Sequence, residues 1–486
     1  MRPEREAVIV GVGELADRED RQQPLDLMQQ ALRLANDDAG ADLLPALDSL
    51  DLVRQVSWPY PDTLGLLCER LGHRPARAVE LPIGGQTSLL ALHRAALRIA
   101  SGRSSVAAVV SGEAAHTVRR SKRQGRPLDW PRAARPSRAA RAAERQRPVA
   151  RLCGLDRPAH AYPLYETALT AAWGQSPAES RAESAALWAE LSAVAAQREA
   201  AWSRDAVGAA AIAAPTPENR LVAWPYRKLM VANPLVNQGA AVLLASRAEA
   251  RRAGIPDHRT IAILGGAAAA EPDDLLDRPR FDQVPAQAAV LAAAQRLAPD
   301  GFAAAELYSC FPCVPKLARR TLGLAPDVPL SVAGGLTFFG GPLNGYMLHA
   351  AVAMVQRLRA GGGKPGLLYG QGGYLTKHHA LLLGADAAPR LARDFAIAGP
   401  AGRSIPLLQE HRGRASLESF TVLYDRNETP LHAIALCRTR EGARILAVVP
   451  ASDADTLRTL MAADRSPIGL AGRTFPGSSH PEWHLD

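Results

Sequence analysis

Apolar and polar residues alternate along the first quarter of the chain in a way that separates strands from helices. An apolar run at residues 7–13 predicts a buried strand, and apolar positions spaced by 3.6 residues predict a helix from 24 to about 40. The same alternation continues with a strand at 49–58, a helix at 62–71, a strand at 77–82, a helix at 88–100 and a strand at 106–112. Strands that alternate with helices predict an α/β sheet covered on both faces.

A second unit repeats this order later in the chain. Its predicted elements are a strand at 260–267, a helix at 286–297, a strand at 304–311, a helix at 347–358 and a strand at 366–373. LHRAALRIASG, from Leu92, resembles LHAAVAMVQRLRAG, from Leu348, and both follow a loop with two adjacent glycines. The repeat predicts two similar α/β units whose matching helix N-termini converge on one pocket.

Two regions fit neither unit. Residues 115–225 contain one amphipathic helix, around Leu187 and Leu191, and are predicted to form an insertion or lid. Residues 416–450 alternate apolar and polar positions around the turns RNET and REGA, which predicts a small antiparallel sheet, with an OB-like barrel as one candidate. The predicted domains are a first half at 1–255, a second half at 256–385, a linker at 386–404 and a β domain at 405–486.

The composition favours a soluble globular protein of several domains. The chain has 486 residues, of which 47% are hydrophobic and 22% charged. It has no apolar run near the roughly 20 residues of a membrane helix, and the charged N-terminus does not fit a signal peptide. We therefore expect a cytoplasmic protein without a membrane partner.

The net charge of +9 is concentrated in one segment. Residues 119–157 contain thirteen Lys and Arg against three Asp and Glu, so this segment carries +10 and the rest of the chain −1. A solvated Arg-rich linker and a phosphate-binding site are both consistent with this pattern. Nucleic-acid binding is less favoured, because Trp130 is the segment's only aromatic residue.

The five cysteines do not predict a disulfide framework, because they are few and odd in number in a long chain. Cys310 and Cys313 form a CFPC pair, which supplies half of a zinc site at most. Buried thiols are the favoured interpretation, and no metal is predicted. The GxG of Gly11 and Gly13 lacks the third glycine of a dinucleotide-binding loop.

Several segments together resemble the thiolase superfamily. They are VIVGVGELADR, GGQTSLLALHRAALRIASG, NQGAAVLLASRAEA and GGLTFFGGPLNGYMLHA, and the resemblance spans roughly residues 5–385. The β tail is similar to that of thiolase-like proteins of type 1, which have an additional C-terminal domain. The resemblance implies a duplicated thiolase fold in α-β-α-β-α layers, and an acetyl-CoA acetyltransferase or acyltransferase of lipid metabolism that uses a CoA thioester.

The catalytic residues of thiolases are absent from the matching positions. The nucleophilic Cys falls at Gly85, or at Gln86 if the register shifts by one, and the catalytic His falls at Gly341. The residue that helps to bind the thioester oxygen falls at Tyr308, and the second Cys near Tyr369. Because acyl transfer needs a nucleophile with a base in reach, we expect the Cys/His reaction to be absent.

The backbone of the loops can still bind a thioester, since helix N-terminal N–H groups at Thr87 and Ser88 can face a carbonyl oxygen. Tyr308 and His378 are candidate catalytic substitutes; Cys310, Tyr374 and His379 are weaker ones, and packing roles are the alternative. The predicted thioester pocket comprises Gly85, Gln86, Thr87, Ser88, Gly340, Gly341, Asn344, Gly372 and Gly373. The predicted CoA phosphate site comprises Arg119, Arg120, Lys122 and Arg123.

Two functions of different class remain open at this point. The first is an enzyme that uses replacement groups on a CoA thioester. The second is a non-catalytic acyl-CoA-binding or scaffold protein whose C-terminal domain contacts a partner. Either way the expected ligand is CoA or acyl-CoA, with no covalently bound cofactor.

Overall fold

The computed structural model describes residues 3–134, 146–361, 363–385, 396–397, 405–477 and 479–486. Part of the basic segment (135–145) and most of the predicted linker (386–404) lie outside this description. No helix in the described part of the chain has the length and apolar character needed to cross a bilayer.

The helices and strands follow one another in three groups. The first group is β1 (Ala7–Ala16), α1 (Pro24–Ala39), β2 (Ser49–Val53), α2 (Thr63–Leu71), β3 (Arg77–Leu81), α3 (Thr87–Ala100), β4 (Val106–Ala114), α4 (Ala115–Gln124), α5 (Pro148–Leu152), α6 (Pro158–Ala172), α7 (Pro177–Ala196), α8 (Ala209–Ala213), β5 (Leu221–Ala223), β6 (Tyr226–Arg227), β7 (Asn237–Ser246) and α9 (Arg247–Arg252). The second is β8 (Ile261–Ala270), α10 (Pro285–Leu297), β9 (Ala304–Leu307), α11 (Cys313–Leu322), α12 (Tyr346–Arg359), β10 (Gly366–Gly372), β11 (Lys377–Gly384) and β12 (Ala396–Ile397). The third is β13 (Leu407–Leu408), β14 (Gly413–Tyr424), β15 (Pro430–Thr439), β16 (Arg444–Pro450), α13 (Ala454–Leu460), β17 (Ala471–Phe475) and β18 (Glu482–Leu485).

The elements predicted for the two α/β units are present, and two strands are shorter than predicted. β2 stops at Val53 because the chain then turns, with the Trp58 N–H donating to the Gln55 side chain. β9 stops at Leu307, a few residues before Cys313 begins α11. Capping fixes other ends: the Asp62 carboxylate accepts the Gly65 N–H at the start of α2.

The core is a duplicated sheet. Its strand order is β3-β2-β4-β7-β1-β8-β11-β10-β9, in which the first five strands come from the first half and the last four from the second. The halves join where β1 and β8 pair antiparallel, with Val8 opposite Ala262 and Ile9 opposite Ile261.

Helices complete the layers. α3 and α12 contact each other and strands of both halves, so they form a central helical layer. α1 covers the first half from outside by packing on β1, β4 and β7, and α10 covers the second half on β8 and β11. The result is the predicted α-β-α-β-α order.

The glycines of the first strand have a packing role. A Cβ atom on Gly13 would lie 2.6 Å from the backbone nitrogen of Ala35, and one on Gly11 would collide with the backbone of the same residue. α1 can approach β1 closely only because both side chains are missing.

The C-terminal β domain forms a small barrel. β14 pairs with β15 and β17, β15 pairs with β16, and β18 closes the ring between β16 and β17. β5 and β6, from the predicted insertion, extend the same sheet next to β14. The insertion therefore packs with the C-terminal domain as well as with the first half.

A buried arginine attaches the barrel to the core. The Arg444 side chain has no solvent exposure, and its Nη1 donates to the carbonyl oxygens of Leu276 (2.7 Å) and Arg278 (2.6 Å). Glu418 accepts from the same guanidinium, so the charge is neutralised within the barrel.

Candidate functional site

The two matching helix N-termini meet, as the repeat predicts. Ser88 and Asn344 lie 256 residues apart, which is the offset between the two LH segments. The Ser88 hydroxyl donates to the Asn344 carbonyl oxygen (2.9 Å). The centre of the predicted pocket is therefore the contact between the two units.

Asn344 holds several loops together at this centre. Its Oδ1 accepts the Gly84 N–H (2.9 Å), and its Nδ2 donates to the Arg54 carbonyl oxygen (2.8 Å). Because Asn344 is 4% exposed and its amide bonds both neighbouring loops, the side chain acts as a structural bridge.

Gly85, the predicted counterpart of the thiolase nucleophile, is closely covered by other atoms. A Cβ atom on Gly85 would lie 2.7 Å from Cζ of Tyr308, and closer still to the Tyr308 hydroxyl and the Gln371 carbonyl oxygen. Tyr308 is 6% exposed, and burial raises the pKa of its hydroxyl well above the usual value. The ring occupies space that a cysteine side chain would need.

The start of α3 has fewer open backbone donors than the sequence predicts. The Thr87 N–H donates to the Gly84 carbonyl oxygen (3.0 Å) and so does not face a ligand. Two side-chain oxygens there, Oε1 of Gln86 and Oγ1 of Thr87, are buried without a hydrogen-bond partner within the described residues. They are the unsatisfied polar atoms of the predicted pocket.

The glycines of the second-half loops allow close backbone contacts. Gly340 has φ +115°, and a Cβ there would lie 2.6 Å from the side-chain oxygen of Gln238. The N–H of Gly341, the predicted counterpart of the thiolase histidine, donates to the Asn233 carbonyl oxygen (2.8 Å). Gly373 begins a left-handed turn, and a Cβ on Gly372 would lie 3.0 Å from the Gly85 nitrogen.

His378 lies behind this turn. Its Nε2 donates to the Leu375 carbonyl oxygen (3.1 Å), so Nδ1 accepts from the Tyr369 hydroxyl (2.8 Å). Burial, with a smaller effect of Arg278, lowers the pKa of His378 to about 3. Its exposure is 1%, so it is a neutral ring with both nitrogens bonded, and the structure does not bring it together with Tyr308 as a catalytic pair.

The neighbouring His379 bonds the first half of the molecule. Its Nε2 lies 3.1 Å from Nδ1 of His93, which is on α3. Burial lowers the pKa of His93 to about 4 and that of His379 well below its usual value. His93, which the sequence analysis did not single out, is thus one of the contacts across the repeat.

Cys310 belongs to a buried hydrogen-bonded group. The Gln371 side chain donates to the Tyr162 hydroxyl (2.7 Å) and to Sγ of Cys310 (3.1 Å). Burial raises the pKa of Cys310 to about 12, so the thiol remains protonated. Gln371 and Tyr162 were missed from the sequence, although the GQGG motif at the end of β10 marked the right place for the first.

The predicted phosphate residues lie on α4, and three of the four share a cavity. His116, Arg119, Arg120 and Arg123 follow an i, i+3, i+4, i+7 spacing and line a cavity of about 380 Å³ together with Leu235. Lys122 does not line it, because it is on a different face of the helix.

Asp20 positions this helix. It accepts hydrogen bonds from His116, Thr117 and Arg120, and from the Asn237 side chain. Although burial opposes ionisation, these bonds lower the pKa of Asp20 to about 2. Arg120 is therefore partly neutralised, whereas Arg119 and Arg123 are exposed at the cavity.

The cavity on α4 adjoins the loop cluster. Leu235 lines it, and two residues earlier Asn233 accepts the Gly341 N–H. Both lie at the edge of the sheet where β2, β3 and β4 end, the edge at which α/β proteins bind ligands.

Comparison with known proteins finds others that share this architecture. A family model for the additional C-terminal domain of thiolase-like protein type 1 matches residues 401–475. The crystal structure of a monomeric SCP2-thiolase like protein type 1 from Mycobacterium smegmatis superposes with a TM-score of 0.84 at 28% identity, covering 99% of both chains. The chain is therefore similar over its whole length to a thiolase-like protein of type 1, and its C-terminal domain matches the additional domain of that family.

Other solved structures share the fold of this thiolase-like protein. An Ltp2–ChsH2(DUF35) aldolase matches with a TM-score of 0.59 and 19% identity, covering 79% of this chain and 99% of that one. An acetyl-CoA acetyltransferase from Syntrophomonas wolfei matches with a TM-score of 0.57 and 14% identity, covering 79% and 99%. None of the curated proteins matches the sequence.

Proposed function

We propose that this thiolase-like protein binds a CoA-type thioester non-covalently and does not transfer the acyl group through a cysteine. The observation that supports this most strongly is the packing of Tyr308 and the Gln371 backbone over Gly85. A covalent acyl intermediate requires a nucleophile at this helix terminus, and there is neither a thiol nor space for one.

The nearby side chains also favour binding over catalysis. A general base must reach its proton and have a pKa near the working pH. His378 is neutral, buried and bonded at both nitrogens, and the pKa of Tyr308 is raised further from neutrality by burial. An enzyme that uses either group would need the loops to rearrange first.

The cavity on α4 would hold the phosphates of the ligand. Arg119 and Arg123 present planar guanidinium groups, which bond phosphate oxygens in pairs. From there a pantetheine arm would follow the loop of Gly341 towards Gln86 and Thr87. Both residues are buried, so their unpartnered oxygens would accept its amide N–H groups only after the loops open. The fold shared with an acetyl-CoA acetyltransferase is consistent with this ligand class.

Titration calorimetry with CoA and acetyl-CoA tests the proposal. We expect both to bind with similar affinity, because recognition rests on the phosphates and the pantetheine, and we expect the intact protein mass to stay unchanged after incubation with acetyl-CoA. Arg119→Ala/Arg123→Ala should weaken binding by about tenfold or more, since each charge-assisted hydrogen bond contributes roughly 1.5–3 kcal/mol.

A double variant with the same charge change is the control. Arg251→Ala/Arg252→Ala removes two exposed arginines from α9, away from the α4 cavity, and should leave CoA binding unchanged. If neither CoA nor acetyl-CoA gives heat, or if both double variants weaken binding equally, the proposal is wrong. Acetylation of the protein would show instead that a covalent reaction survives.

A further inference from the structure

In the second half of the duplication, an irregular segment takes the place of one strand. In the first half β3 is the outer strand, beside β2. The second half ends at β9, the counterpart of β2, and the chain after α11 does not pair there as a strand. One backbone hydrogen bond, from the Leu307 N–H to the Leu330 carbonyl oxygen (2.8 Å), links it to β9. The Glu306 carboxylate of β9 accepts three more, from the Ser331 hydroxyl and from the N–H groups of Val332 and Ala333.

A cavity of about 810 Å³ lies beside β9, at this outer side of the sheet. It falls within the roughly 300–1,000 Å³ range of small-ligand sites. Its apolar wall includes Phe302, Ala305, Leu322, Leu324, Val328 and Val332. These residues come from β9, from the end of α11 and from the segments around them. The apolar wall therefore lies where a counterpart of β3 would pack.

The charged residues that line the cavity are all cationic. They are Arg198, Arg357 and Lys364, and among the described residues no Asp or Glu lines the cavity. Arg198 is already paired with Glu14 and bonded to the Gln356 side chain, whereas Arg357 and Lys364 are exposed. An apolar cavity with a cationic rim is complementary to a ligand that has an apolar body and an anionic end.

A peptide strand fits this edge less well than a small amphiphile does. β9 has only four residues, and the Leu307 N–H is already bonded. Pro329, on the opposite wall, has no N–H to offer. Few backbone groups remain to pair with an added strand, and strand addition draws its affinity from such pairs.

We infer that this cavity is a binding site for an aliphatic carboxylate, such as a medium-chain or long-chain fatty acid. The chain lies against the apolar wall beside β9, and the carboxylate lies at the rim with Arg357 and Lys364. The site is separate from the α4 cavity, with which it shares no lining residue. It therefore does not depend on the proposed CoA binding.

Calorimetric titration of the full chain with octanoate, decanoate and dodecanoate, each below its critical micelle concentration, tests the inference. Affinity should rise by about tenfold for each added pair of methylene groups, as expected for burial of an aliphatic chain. Dodecyltrimethylammonium, which has the same chain and the opposite charge, should bind at least about threefold more weakly than dodecanoate.

Variants locate the site. Arg357→Gln/Lys364→Gln should weaken dodecanoate by about threefold to tenfold and leave dodecanol unchanged. The matched control, Arg251→Gln/Arg296→Gln, removes two exposed cations that do not line the cavity and should have no effect. Val328→Trp, on a surface segment, should weaken both ligands by filling the cavity, with circular dichroism confirming the fold.

Three results would overturn the inference. They are binding only above the micelle concentration, affinity that does not change with chain length, and equal effects of the two charge variants on dodecanoate. Loss of dodecanoate binding in Arg119→Ala/Arg123→Ala, with normal binding in Arg357→Gln/Lys364→Gln, would assign the carboxylate to the α4 cavity instead.

Discussion

Tyr308 lies over Gly85, so that a Cβ atom on the glycine would be 2.7 Å from Cζ of the tyrosine. The two residues come from different halves of the duplication and are 223 positions apart in the sequence. At this predicted nucleophile position, the absence of a side chain on Gly85 and the place of the Tyr308 ring depend on each other.

Gly85→Cys should therefore destabilise the protein without making it a thiolase. Overpacking of this kind costs about 1–3 kcal/mol of unfolding free energy, measurable by urea denaturation, and the variant should form no acyl-enzyme with acetyl-CoA. Gly363→Cys is the control: a Cβ there would meet no atom within 4 Å, so its cost should stay below about 0.5 kcal/mol.

Combining Gly85→Cys with Tyr308→Ala should cost less than the sum of the two single changes. Removing the ring relieves the clash with Tyr308, although the Gln371 carbonyl oxygen remains close, and coupled neighbours usually show interaction free energies of about 0.5–3 kcal/mol. Additive costs in the double-mutant cycle would contradict the mutual dependence of the two positions.

The cysteines should be unreactive in the native protein. All five are buried, and a thiol with a pKa of about 12, such as Cys310, has only about one ten-thousandth of its population as thiolate at pH 8. We expect iodoacetamide to leave the native mass nearly unchanged within an hour and to modify all five in urea. Rapid native modification of Cys310 would show that the loops open readily.

Stability should fall as the pH is lowered from 7.5 to 5. Burial lowers the pKa of His378 to about 3, whereas in the unfolded chain it is near 6.5, so below pH 6.5 protons bind the unfolded state preferentially. The contribution is complete above pH 6.5 and is lost towards pH 3, with up to about 2 kcal/mol lost at pH 5.

Substitution can show whether His378 causes this loss of stability at low pH. His378→Gln should reduce the change in unfolding free energy between pH 7.5 and 5, because that imidazole no longer takes up a proton on unfolding. His258→Gln replaces an exposed histidine. In this control the difference in unfolding free energy between pH 7.5 and 5 should equal that of the unmodified protein. An identical pH dependence in both variants would exclude His378 as a contributor.

Arg444→Met should weaken the attachment of the barrel to the core. The change leaves the carbonyl oxygens of Leu276 and Arg278 without their donor and Glu418 with one partner fewer, at a cost of about 3 kcal/mol. Arg414→Met, at a site where the side chain is 73% exposed, should cost less than about 1 kcal/mol. Urea unfolding followed by tryptophan fluorescence compares the two.

The repeat made the fold predictable. The period of the apolar residues located the helices and strands of both units, and the offset of 256 residues identified the helix termini that meet at Ser88 and Asn344. The absence of a regular outer strand beside β9 was not predictable in this way, because the residues after α11 have an apolar pattern like that of a strand, yet only the Leu330 carbonyl oxygen pairs with the β9 backbone.

The site was less predictable, since its contacts cross between the units. Local patterns do not indicate that Tyr308 reaches Gly85, or that Gln371 connects Tyr162 with Cys310. Helical spacing could have separated Lys122 from the cavity residues of α4, because a rotation of about 100° per residue puts it about 160° from Arg120 and about 100° from Arg123.

The hydrogen bond between Ser88 and Asn344 has a consequence for dissecting the molecule. The Ser88 hydroxyl of the first half donates to the Asn344 carbonyl oxygen of the second, so each helix terminus contacts an atom of the other half. In addition, β5 and β6 of the first half extend the sheet of the terminal barrel. Truncation at the boundary of the repeat would thus remove parts of two domains at once. Fragments meant to isolate one half are better produced as a co-expressed pair than singly.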